Sequence, residues 1–187
     1  MIGIARVENP DLKRFNDPDA EKPGCLIEGG EMITDLRPIL SEHPFFKDLK
    51  QEYLDFIVGC ASNVRFKPDE VIFEEGGEAN KFYLIRDGKV AIEILAGQHR
   101  PIIIQTIHEG DILGWSWLVP PHLSRFHCRA AAETRAIALD GKCLREKCEK
   151  DHAMGYELLM RLTKILTQRL ESTRMQLLDI YDVNVKE

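Results

Sequence analysis

Phe82-Tyr83-Leu84-Ile85-Arg86-Asp87-Gly88-Lys89-Val90-Ala91-Ile92-Glu93-Ile94 is the stretch that decides the fold. Two runs rich in β-branched and aromatic residues flank Asp87-Gly88, and both turn residues tolerate the positive φ of a tight hairpin. Outward from this hairpin the same signature repeats. Val71-Ile72-Phe73 ends at Glu74-Glu75-Gly76-Gly77, and Pro101 to Ile107 ends at Glu109-Gly110-Asp111. Phe126 to Ala130 and Arg135 to Leu139 follow an irregular segment. Many short strands at near-regular spacing predict an antiparallel sandwich or barrel between about Val64 and Leu139.

Helical patterns flank it. Leu36, Ile39 and Leu40 share a face, Ser41-Glu42-His43-Pro44 interrupts, and Phe45, Phe46, Leu49, Leu54, Ile57 and Val58 continue to about Ala61. From Lys142 helices persist almost to the end. Leu159, Leu162, Leu166, Leu170, Thr173, Leu177 and Ile180 recur near the 3.5-residue period of a helix that meets a partner helix. Met154, Leu158 and Ile165 widen the stripe before Leu170. The first half of this helix is thus expected on the barrel and the second half against another copy, giving a homodimer. The organisation read is an N-terminal arm over 1–32, a barrel with its N-terminal helices over 33–150, and a long helix over 151–181.

Composition narrows the function. At 187 residues, with 44% hydrophobic and 30% charged residues, the chain suits a soluble globular protein. No run approaches the roughly 18 apolar residues of a membrane span, and no signal peptide is read, so the expected location is the cytoplasm. A net charge of −6 argues against general affinity for nucleic-acid backbones. Cys25, Cys60, Cys128, Cys143 and Cys148 lack metal-ligand spacing and read as thiols buried in a reducing compartment. No metal or obligatory cofactor is expected. His43, His99, His108, His122, His127 and His152 form no recognisable nucleophile–base or metal set, and His122, Arg125 and His127 are too weak a group to make an enzyme.

Leu40, His43-Pro44-Phe45-Phe46, Val71-Ile72-Phe73, Glu75-Gly76, Phe82 to Ile85, Gly88, Gly110-Asp111, Gly114 and Arg129-Ala130 stand, in order, where cyclic-nucleotide-binding domains place core and turn residues. With the tail around Gln168-Arg169-Leu170 and Thr173, the chain resembles the sensory half of the catabolite-activator/Fnr superfamily over about residues 33 to 180. The resemblance implies a mainly β fold with flanking helices, a double-stranded β-helix (jelly-roll) barrel, and a dimerisation helix. It implies a non-catalytic regulator. In the superfamily a helix-turn-helix follows the long helix; here only Asp182 to Glu187 follow Tyr181, too few for a recognition helix, so direct DNA binding is not expected.

The ligand cassette departs from the family. There a glutamate accepts the ribose hydroxyl, backbone N–H groups hold the cyclic phosphate, and an arginine pairs with its charge. This chain reads Gly114-Trp115-Ser116-Trp117-Leu118-Val119-Pro120-Pro121, with Trp115 in the glutamate's place and the bulk of Trp117 in that of a small residue. The arginine position falls on Ser124 or, with a one-residue shift, on Arg125. Thr173 aligns with the helix position that contacts the base. Gly114, Trp115, Ser116, Trp117, Leu118, Arg125 and Thr173 are therefore the candidate ligand contacts. The ligand expected is a non-standard small molecule, anionic or aromatic, or none; a cyclic nucleotide and a ligand-free dimeric docking module are the alternatives.

Overall fold

The structure is a computed structural model that describes residues 35–95 and 100–184, so the arm read over 1–32 lies outside the described residues. Two short helices come first, α1 (Arg37–Glu42) and α2 (Gln51–Val58). They are followed by β1 (Ala61–Phe66), β2 (Val71–Phe73), β3 (Lys81–Asp87), β4 (Val90–Ile94), β5 (Ile102–Ile107), β6 (Ile112–Leu113), β7 (His127–Ala130) and β8 (Thr134–Asp140). Helices α3 (Gly141–Lys150) and α4 (His152–Asn184) close the chain. The first strand extends into residues whose pattern read as helical up to Ala61, and the two-residue β6 carries no periodic signal of its own.

The strands form two four-stranded antiparallel sheets, ordered β1-β8-β3-β6 and β2-β7-β4-β5. Their register sorts the core into two layers. Phe82 faces Leu139 and Leu84 faces Ile137 across β3 and β8, and these four pack under α1, α2 and the first turns of α4. Tyr83 with Ala138 and Ile85 with Ala136 point the other way, where they meet Val90, Ile92 and Cys128 of the second sheet. Covered on both faces, β3 is buried from Phe82 to Ile85, which is why it reads as a continuous apolar run. The expected hairpin is present: Gly88 has φ +97°, and a Cβ there would lie 2.3 Å from the Glu133 carbonyl oxygen.

Along the first half of α4, expected on the barrel, Met154, Leu158 and Leu162 are buried in the helix-side layer, while Tyr156, Leu159 and Met160 are exposed at 46–62%. A helix packed flat on a sheet follows the 3.6-residue period, and 154, 158, 162 and 165 hold that period. Farther along, Leu170, Met175, Leu177 and Leu178 are each about half exposed, at 50–61%.

The expectation of thiols throughout is overturned at one pair. Cys60 and Cys143, 83 residues apart in sequence, form a disulfide with Cα atoms 5.9 Å apart. Topology brings them together: β1 pairs with β8 so that Ala61 faces Leu139, the Asp140 N–H donates to the Cys60 carbonyl, and Cys143 sits in the first turn of α3. Cys128 and Cys148 remain free thiols.

Candidate functional site

The cassette begins at Gly114, whose φ of +83° is open to glycine and strained for other residues. Trp115–Trp117 form a single 3-10 turn without a capping side chain. The Trp117 and Leu118 N–H groups donate to the Gly114 and Trp115 carbonyls at 3.4 and 3.2 Å. One turn consumes two of the amides that would otherwise converge on an anion.

At the start of this turn a Cβ on Gly114 would lie 2.7 Å from the Lys81 carbonyl oxygen and 3.7 Å from Phe73 and Tyr83, and Tyr83 stacks edge-on against Phe66 with centroids 5.7 Å apart. Toward the helices, Trp117 is 2% exposed. Its ring centroid is 6.0 Å from that of Phe82, and its Cβ is 2.9 Å from where a Cβ on Gly141 would stand. The buried indole N–H has no partner. Trp115 and Leu118 are half-buried against the same helix-side layer, and Ser116 is buried. The Arg145 guanidinium donates to the Trp117 carbonyl at 2.7 Å, tying the turn to α3.

The other two candidates are elsewhere in character. Arg125 is exposed, while Ser124, its alternative, is buried and exchanges backbone hydrogen bonds with Gly76 and Gly77. Thr173 is exposed and its hydroxyl donates to the Arg169 carbonyl one turn back at 2.9 Å, the ordinary fate of a threonine inside a helix.

An open groove of about 850 Å³ runs between α4 and the turns that face it. Lys47, Asp48, Gln105 and Asp111 line it opposite Lys164 and Arg169 of α4; none of the seven sequence candidates lines it. Two arginines hold α4 in place. Arg161 donates to the Phe45 and Lys47 carbonyls at 3.0 and 2.7 Å, and Arg169 donates to the Ile112 carbonyl at 2.5 Å. Burial lowers the pKa of Arg169, opposed by nearby Asp111. These anchors were not singled out in the sequence, although Arg161, Ile165 and Arg169 at steps of four share the barrel-facing stripe.

Two buried polar groups complete the electrostatics. His43, at the C-terminal end of α1, accepts the Phe45 N–H on Nδ1 at 3.2 Å, while its Nε2 lacks a partner. Desolvation lowers its pKa to about 4, opposed by the nearby Asp111 carboxylate. Glu93, 1% exposed, is met by Arg129 Nη2 at 2.6 Å, and Arg129 reaches Asp69 with its other nitrogen. Among the described residues no group of three or more His, Cys, Asp or Glu side chains could hold a metal ion, and no helix is long and apolar enough to cross a membrane.

With this geometry in hand, comparison with known proteins agrees with the fold. Residues 63–151 match the family model for the cyclic nucleotide-binding domain. A CRP-like cAMP-activated global transcriptional regulator of Mycobacterium tuberculosis is 24% identical over 147 residues, which are 79% of this chain and 64% of that protein. The chain thus spans under two thirds of the length of this relative. A candidate cyclic nucleotide-binding protein from Geobacter metallireducens superposes with a TM-score of 0.67 at 27% identity, covering 74% of this chain and 99% of that one. The sensor domain of the transcriptional regulator DNR from Pseudomonas aeruginosa shares the fold, with a TM-score of 0.59 at 18% identity over 72% of this chain and 91% of that one.

Proposed function

We propose that this chain is a non-catalytic regulatory module of the cytoplasm, dimerised along the second half of α4, whose cassette does not take cAMP or cGMP through a ribose–carboxylate contact. On this reading its ligand is a different small anionic or aromatic molecule, or there is none. The observation that carries it is the seating of Trp117 in the helix-side core, where it is 2% exposed with its ring centroid 6.0 Å from that of Phe82. No carboxylate stands in the cassette from Gly114 to Pro121 to accept a ribose hydroxyl. The dimer is supported by the half-exposed Leu170, Met175, Leu177 and Leu178 on the second half of α4, beyond the buried Met154, Leu158 and Leu162.

The alternative, a true cyclic-nucleotide sensor, is favoured by the family match over residues 63–151. In that case Gly114, Trp115, Ser116, Trp117, Leu118, Arg125 and Thr173 are the contacts to expect. Thermal unfolding with each nucleotide at 1 mM separates the two. A ligand with a Kd of about 10 µM would add about 2.7 kcal/mol and raise Tm by roughly 5–10 °C. No upshift is expected, and a clear one would overturn the proposal. A monomer by light scattering at micromolar concentration would remove the dimer.

A further inference from the structure

We infer that the Cys60–Cys143 bond is a reversible thiol–disulfide site whose state sets how firmly α3 holds the cassette turn. The inference is independent of which ligand, if any, the cassette takes.

Helix α3 is a junction of three parts of the molecule. The disulfide is its covalent tie to the turn between α2 and β1, beside a Lys147 ammonium that donates to the Phe56 carbonyl and lies 5.5 Å from the Phe56 ring centroid. Arg145 and Gly141 hold the cassette, the first through the Trp117 carbonyl and the second by close approach to the Trp117 side chain. On its far side Cys148 lies against Gly155 of α4, where a Cβ on the glycine would come within 3.2 Å of the cysteine Cβ. The tie at Cys143 therefore sits two residues from each of the cassette contacts Gly141 and Arg145 and five residues from Cys148, which meets α4.

The chemistry of the pair suits exchange. Cys60 is 8% exposed whereas Cys143 is only half-buried, so an external thiolate reaches the Cys143 sulfur first. Attack there forms a mixed disulfide with Cys143 and expels Cys60 as the thiolate, which takes a proton. The second thiol of a dithiol reductant then displaces Cys143 and closes the reductant into its own disulfide. Two electrons and two protons pass in net from the dithiol to the cysteine pair; a disulfide oxidant reverses the exchange. The two remaining described cysteines are poor competitors, since burial pushes the Cys128 thiol up to about 12 and raises that of Cys148. In a reducing compartment a disulfide between β1 and α3 is transient, the behaviour of a sensing bond and not of a staple. Reduction leaves the neighbouring hydrogen bonds from Asp140 N–H to the Cys60 carbonyl and from Cys143 N–H to the Asp140 carboxylate in place, so loosening and not unfolding is expected.

The chain's own tryptophans report on it, because its only two are Trp115 and Trp117. The full chain is oxidised with glutathione disulfide, then reduced with dithiothreitol, and alkylated for mass spectrometry at each step. Acrylamide quenching and far-UV circular dichroism are followed in parallel. The expected result is a Cys60–Cys143 cross-linked peptide in the oxidised chain alone and unchanged circular dichroism. Quenching should rise by roughly twofold on reduction, as local opening exposes the turn, and return on reoxidation. The C60S/C143S variant should sit at the reduced value and ignore dithiothreitol, and C148S should respond as the wild type does. Failure to form the cross-link, equal quenching in both states, or a response that persists in C60S/C143S would each overturn the inference. So would loss of circular dichroism on reduction of the wild type, which makes the bond a structural staple and needs no variant to be seen.

Discussion

Removing the Trp117 side chain separates a cassette that is part of the core from one that waits for a ligand. The indole is 2% exposed. An aromatic of its size buries about 200 Å², worth about 5 kcal/mol at 25 cal/mol per Å². The unpartnered indole N–H already subtracts about 1–2 kcal/mol, because a buried donor without an acceptor loses its water. Trp117→Ala should therefore cost about 3–4 kcal/mol, within the range for large-to-small changes in cores. For a chain of this length that lowers Tm by roughly 10 °C. Trp117→Phe keeps the contact with Phe82 and discards the orphan N–H, so it should cost clearly less. The measurement is urea unfolding followed by circular dichroism, at one fixed protein concentration because a dimer's stability depends on it. A cost below about 1 kcal/mol for Trp117→Ala would refute the reasoning, since the ring could not then be filling the space between Phe82 and Gly141.

Three other outcomes follow from the same structure. His43 has a folded pKa near 4, below its unfolded 6.5, so the unfolded chain binds more protons between those values. Its contribution, up to about 3 kcal/mol, is complete above pH 6.5 and is lost as pH falls toward 4; unfolding titrations of the wild type and His43→Gln should converge as acid is added. Arg129→Ala leaves the carboxylate of Glu93 buried beside no cation and should cost about 3–5 kcal/mol, whereas Glu93→Gln with Arg129→Met together should recover much of it in the same assay. Leu170→Lys with Leu177→Lys should convert the protein to monomer by light scattering while far-UV circular dichroism stays unchanged, because both side chains are half exposed.

What the sequence made legible was whatever repeats locally. The Asp87-Gly88 turn between two β-rich runs located the β3–β4 hairpin, and the widening of the leucine stripe before Leu170 located the half of α4 that packs on the barrel. Within that half Leu159 and Leu162 were read as one set, yet Leu159 is exposed and Leu162 buried, because a 3.5 and a 3.6 period differ by little over two turns. The cysteine pairing was hidden for a different reason. It depends on β1 lying beside β8, a contact between residues 83 apart that no local pattern encodes. The cassette lies between these cases. Its unusual residues stand out in the sequence, but the direction of Trp117 depends on the left-handed backbone at Gly114 and the phase of a single 3-10 turn. The same is true of Arg125, which one residue of register turns from pocket to solvent.

The placement of Trp117 bears on how any signal could pass through this domain. A binding cassette that responds to a ligand must have two arrangements close in free energy, and a site filled by its own side chains has fewer of them. Here the turn is bonded to α3 through Arg145 and packed on Gly141 and Phe82 through Trp117, so a ligand that moves it would have to displace contacts worth several kcal/mol before gaining its own. A change at Cys143, in the first turn of α3 between Gly141 and Arg145, meets no such barrier. Breaking the Cys60–Cys143 bond removes a restraint from the frame that holds the turn and leaves the packing around Trp117 to adjust. The bulk of Trp117 is what couples the turn to α3, and through α3 to the sulfur pair and to α4. A smaller residue at 117 should therefore weaken the tryptophan response to reduction, read from Trp115 alone, even where the chain stays folded.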